Sequence, residues 1–85
     1  MSWSTIRKAT EEDRERLNRA AMRFCERHDC PYVYGSPVEN VEAAIANDFY
    51  DGVYLRKLWR ACVRRALRSN DAEGIEYGYV GFHVE

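Results

Sequence analysis

Apolar positions recur along this chain with the period of an α-helix in three separate stretches. In the first, Leu17, Ala21 and Phe24 fall at i, i+4 and i+7, His28 follows at i+11, and Ala20 and Cys25 flank them. This spacing predicts an amphipathic helix from Thr10 to about His28, with the intervening Arg and Glu residues in water. Thr10 is a suitable N-cap. The three acids behind it, Glu11, Glu12 and Asp13, suit the positive end of the helix dipole. Asp29-Cys30-Pro31 ends the helix, because a residue before proline disfavours α geometry.

The second stretch opens on Ser36-Pro37-Val38-Glu39. Serine at the cap, proline at the first helical position and glutamate three residues on predict a capping box. The helix is expected from Pro37 to about Asn47, with Val38, Val41 and Ile45 facing inward and Ala44 beside them. Asn47 to Gly52 reads as a tight connection, with Asp51 as the next N-cap. The third helix is expected from Gly52 to about Arg68. Leu55, Leu58, Trp59, Cys62, Val63 and Ala66 fall on one arc, with Leu58 near its centre. Arg56, Lys57, Arg60, Arg64 and Arg68 fall on the opposite arc, and Arg65 lies at the boundary.

Between and around the helices the pattern changes. Trp3 to Lys8 reads as a short strand or extended arm. Tyr32-Val33-Tyr34 is a short β-type run closed by Gly35. Ser69 to Gly74 reads as a polar turn. Ile75 to Glu85 reads as one strand or a small hairpin, with Gly78 and Gly81 marking a bend or bulge. The fold class that follows is α+β: three helices with a small antiparallel sheet, in one domain over residues 1–85.

The formal net charge is −1, so the chain as a whole has no bias toward polyanions. Its distribution changes that picture. Residues 52–69 carry six basic groups and no acid, between acidic segments at 37–51 and 70–85 that carry no base. Intramolecular neutralisation of the basic helix is the plain reading of such a frame. A binding ridge is the other.

Catalytic signatures are missing. There is no G-x-S-x-G, no phosphate-cradling Gly-rich loop and no H-E-x-x-H. Cys25-x-x-His28-x-Cys30, with His83 as a fourth group, is the one ligand-like cluster. It does not match paired zinc-knuckle spacing, and Cys25 and His28 already lie on the apolar stripe. No enzyme activity, metal or cofactor is therefore expected. Three cysteines, an odd number, with no secretory signal predict reduced thiols and a cytoplasmic protein. No apolar run approaches the roughly 18–20 residues of a membrane span.

A capped helix, a tight turn, a basic helix and a β tail resemble the winged helix-turn-helix family in element order. That resemblance implies DNA binding, with Arg56, Lys57, Arg60 and Arg64 toward phosphates or base edges. Thr5-Ile6-Arg7-Lys8-Ala9-Thr10-Glu11-Glu12-Asp13 is also similar to the opening strand and helix of GCN5-related acetyltransferases, without their pyrophosphate loop. The functional expectation is a small non-enzymatic binding and regulatory protein. It would act through Arg56, Lys57, Arg60, Arg64 and Arg68 on nucleic acid, or alternatively on an acidic protein surface as an inhibitor or adaptor.

Overall fold

The computed structural model describes residues 3–30, 35–48 and 51–83. The chain runs β1 (Trp3–Lys8), α1 (Glu11–His28), α2 (Pro37–Asn47), α3 (Gly52–Ala66), β2 (Ala72–Glu76) and β3 (Tyr79–His83). The three strands form an antiparallel sheet in the order β1-β3-β2. The expected α+β class is observed. The short run expected at Tyr32-Val33-Tyr34 lies outside the described residues. The sheet takes its third strand from the segment before α1, so the described strands do not follow winged-helix element order.

The sheet depends on the hairpin of β2 and β3. Tyr77 and Gly78 have φ of 53° and 84°. Two successive positive φ values are what a type I′ turn requires, and its twist matches that of paired strands. Glu76 then faces Tyr79, Ile75 faces Val80, and on the far side Arg7 of β1 faces the same Val80. The amide of Ala9 donates to the carbonyl of Gly78 at 2.9 Å, which ties the end of β1 to the turn. β2 begins inside the segment that reads as a polar turn. Ala72 anchors it, buried at 1% exposure against the core. Local polarity in Ser69–Gly74 does not reveal a strand that only pairing with β3 creates.

Each helix has a different start. Thr10 caps α1 with its side chain, accepting from the amide of Asp13 at 3.1 Å. The Asp13 carboxylate accepts from the amide of Thr10 at 2.9 Å. The capping box is therefore here, not at Ser36, whose hydroxyl makes no cap bond; at α2 Pro37 starts the helix through its fixed φ. Asp51 does not cap α3 either. Its φ of −114° and ψ of 6° lie outside the extended region of a capping residue, and its amide donates to Asp48 Oδ1 at 2.7 Å. Gly52 is required by space. A Cβ there would stand 2.9 Å from the carbonyl oxygen of Ile45, so the α2–α3 connection closes tightly only over glycine.

One core joins these elements. Leu17, Ala21 and Phe24 of α1 meet Val41 and Ile45 of α2, Trp59 and Val63 of α3, and Val80 of β3. The Phe24 and Trp59 rings meet edge to face at 5.5 Å between centroids. On α3 the inward line is Trp59 and Val63, continued by Leu67 beyond the helix end. Leu58, expected at the centre, is only half-buried. The arc is right and its centre is rotated toward Trp59, because the indole supplies more area to bury than the isobutyl group.

Asp13 is buried at 2% exposure and accepts from two side chains, Arg7 and Arg16, and one amide, that of Thr10. Arg7 Nη1 donates to it at 2.7 Å and Arg16 Nη2 at 3.0 Å. Arg7, then Thr10, hold its carboxyl well below the usual carboxylate range against the opposing effect of burial. A carboxyl depressed by folding stabilises above its unfolded pKa, about 3.9, and loses that stabilisation as pH falls below it. Unfolding free energy should therefore decline as pH drops below about 4, and Asp13→Asn should flatten that decline in urea titrations at stepped pH. At neutral pH the substitution should cost about 2–4 kcal/mol, the loss of charge-assisted bonds and a cap. In the same assay Trp59→Ala should cost about 3–5 kcal/mol and Leu58→Ala clearly less. Equal costs would place Leu58 back at the centre of the core.

Candidate functional site

A strongly charged concavity lies between α1 and α3. It has a volume of about 360 Å³. Arg16, Arg19, Arg23 and Arg27 line it from α1, and Arg65 and Arg68 from α3 and its exit. Ala20, Phe24, Cys62 and Ala66 form the floor, and among the described residues no carboxylate lines it. The α1 arginines follow one another at helical spacing and so form one stripe. That stripe borders the buried line of Leu17, Ala21 and Phe24, which turns it toward α3. The two alanines keep the helices' facing surfaces shallow at this point, and the cleft opens between them.

Two of these arginines are held by acids. Arg16 pairs with Glu12 and with Asp13, and its Nε donates to the carbonyl of Ala66 at 2.7 Å. Arg19 approaches Glu15 at 3.6 Å, and both side chains are exposed. Among the described residues, no carboxylate lies within ion-pair distance of Arg23, Arg27, Arg65 or Arg68. All four are exposed.

The exit of α3 supplies Arg68 through an uncommon backbone state. Helix α3 ends at Ala66, two residues earlier than its sequence suggests. Arg68 has φ of 54°, the amide of Ser69 donates to the Arg64 carbonyl at 3.0 Å, and that of Arg68 to the Arg65 carbonyl at 3.3 Å. This is a Schellman ending, with arginine where glycine is favoured.

The expected site residues are divided by this geometry. Arg68 reaches the cleft. Arg56, Lys57 and Arg60 are exposed on another side of α3. Arg64 is half-buried, and its buried Nε makes no hydrogen bond among the described residues. Arg56 stands near an acidic group on α2 and β2. Partial burial, then Glu76 and Glu39, push the Glu42 carboxyl up, while Arg56 draws it down. That end of the ridge is therefore partly neutralised within the molecule. Arg65 belongs to the cleft, as do Arg16, Arg19, Arg23 and Arg27, which sequence reading assigns only to a wet face. Their three- and four-residue spacing was the available signal; that α3 would bring further arginines to the same stripe was not.

The Cys25, His28 and Cys30 cluster does not converge on a metal. Among the described residues no three His, Cys, Asp or Glu side chains are grouped to hold one. Cys25 and Cys30 are buried core residues, and burial first, then the neighbouring Cys25, pushes the Cys30 thiol up to about 11. His28 is tilted against Phe24 at 4.4 Å between centroids. His83's side chain lies outside the described residues.

The chain matches no protein-family profile, no curated protein and no solved structure. The arginine cleft therefore carries the functional reading without support from a relative.

Arg68→Gly should leave thermal stability unchanged or raise it by about 0.5–1 kcal/mol, since glycine adopts positive φ without the penalty of a Cβ. A melting curve compares the two. A clear loss of stability would mean that the Arg68 side chain, not the backbone, holds the end of α3.

Proposed function

We propose that this is a non-enzymatic nucleic-acid-binding protein whose contact surface is the arginine cleft between α1 and α3. The observation that supports it most is that Arg23, Arg27, Arg65 and Arg68 converge on one cleft with no carboxylate among the described residues that line it. Like charges brought together cost free energy, and a bound polyanion relieves that cost. Arginine in particular presents a planar fork that pairs with phosphate oxygens in two bonds. From Arg16 to Arg27 the stripe rises about 16 Å along the helix, enough for several phosphates of one strand. A near-neutral chain is compatible with this reading, because binding responds to the local field: the α1 acids Glu12, Asp13 and Glu15 engage Arg16 and Arg19, and among the described residues no acid lies within ion-pair distance of Arg23, Arg27, Arg65 or Arg68.

A second reading has one observation of its own. Val53 and Tyr54, in the first turn of α3, are 75% and 61% exposed beside Arg56 and Lys57. A tyrosine, an exposed aliphatic and two cations at one helix end suit an acidic protein surface.

Gel retardation at two salt concentrations separates the readings. The combined Arg23→Ala, Arg27→Ala, Arg65→Ala variant should stay folded, since these side chains are exposed, and should lose nucleic-acid binding. Its residual salt slope should fall by about one unit for each phosphate contact removed. The Arg56→Ala, Lys57→Ala, Arg60→Ala variant should keep most of its affinity. The reverse outcome would return the site to the outer ridge of α3. Absence of binding by the native protein at low salt would leave the protein-surface reading in its place.

A further inference from the structure

We propose that the α1/α3 cleft accepts one unstacked base of a single nucleic-acid strand, with the neighbouring phosphates on its arginine rim. This rests on the nucleic-acid reading above and names the form of nucleic acid that the site takes.

The first ground is shape. The cleft is a concavity of about 360 Å³, at the small end of the range of small-ligand pockets, roughly 300–1,000 Å³. A duplex is convex and keeps its bases paired inside, so only its phosphates would reach the rim. A single strand can turn a base into the cleft without breaking a pair.

The second ground is the chemistry of the floor. Ala20, Cys62, Ala66 and Phe24 offer an apolar surface suited to the flat face of a base. One floor carbonyl, that of Ala66, already accepts from Arg16 Nε at 2.7 Å. A floor with so little hydrogen-bonding capacity cannot distinguish one base edge from another. The site should therefore tolerate many sequences, as stacking platforms do.

The third ground is the rim. Guanidinium groups both pair with phosphate and lie flat against bases, so the same arginines serve the backbone and the inserted ring.

Fluorescence anisotropy with a labelled short DNA strand, free or annealed to its complement, tests this. At equal salt the native protein should bind the single strand about tenfold more tightly than the duplex, the order of one stacked base. Ala20→Leu extends a side chain into the cleft from its floor. It should remove that preference. The native protein supplies an independent readout. Cys62 is half-buried on the floor, whereas Cys25 and Cys30 are buried, so N-ethylmaleimide should label Cys62 first. Saturating single strand should slow that labelling, and saturating duplex should not. If duplex and single strand bind equally, or if bound single strand leaves Cys62 labelling unchanged, the insertion model is wrong while the nucleic-acid reading stands. If neither form binds at low salt, both fall together.

Discussion

The buried carboxylate of Asp13 is the interaction on which the rest of this structure depends. It is a single acid with partners from two elements. Arg7 brings β1 to it, and the amide of Thr10 closes the start of α1. Arg16 completes the set and, through its Nε, also binds the last carbonyl of α3 at Ala66. A chain of charge-assisted bonds thus runs from the sheet through the first turn of α1 to the end of α3. A buried charge held this way is costly to unpair, so the elements it joins are fixed relative to one another.

The arginine cleft follows from that constraint. Its two walls are α1 and the end of α3, the same segments that Arg16 connects. Arg16 lines the cleft, but Asp13 and Glu12 occupy its charge. It works as a brace, and Arg23, Arg27, Arg65 and Arg68, which have no acidic partner among the described residues, are left to line the cleft together. Concentrating unpaired like charge works against stability. Such a concentration is held by packing elsewhere, here by Phe24 against Trp59 and by the Schellman ending that aims Arg68.

The remaining basic residues of α3 show why a helical wheel alone is a poor guide to a binding face. Arg56, Arg60 and Arg64 lie along one line of the helix, one turn apart. Their surroundings differ. Arg56 stands in the field of Glu42, Arg60 is exposed, and Arg64 is half-covered by neighbouring structure. A single row of charge on a wheel becomes three different environments once the sheet and α2 are placed beside it.

The helices were legible in the amino-acid pattern because amphipathic periodicity and terminal signals are local. Leu17, Ala21 and Phe24 mark the inner face of α1, Thr10 marks its start, and Pro37 marks that of α2, whatever the rest of the chain does. The α+β class followed from the same local signals together with the β-rich tail from Ile75, in which Gly78 and Gly81 marked a bend or bulge. Other features depended on distant partners and were not legible. β2 exists because β3 pairs with it, and Ser69–Gly74 by itself reads as a turn. The capping box lies at Thr10 and not at Ser36, because the carboxylate of Asp13 is fixed by Arg7 from another element. The candidate site needed two helices at once. Arg23 and Arg27 look like ordinary solvated charges along one helix, and only the packing of α1 against α3 sets them beside Arg65 and Arg68. Proximity between residues some forty positions apart is a property of tertiary structure, and no local periodicity encodes it.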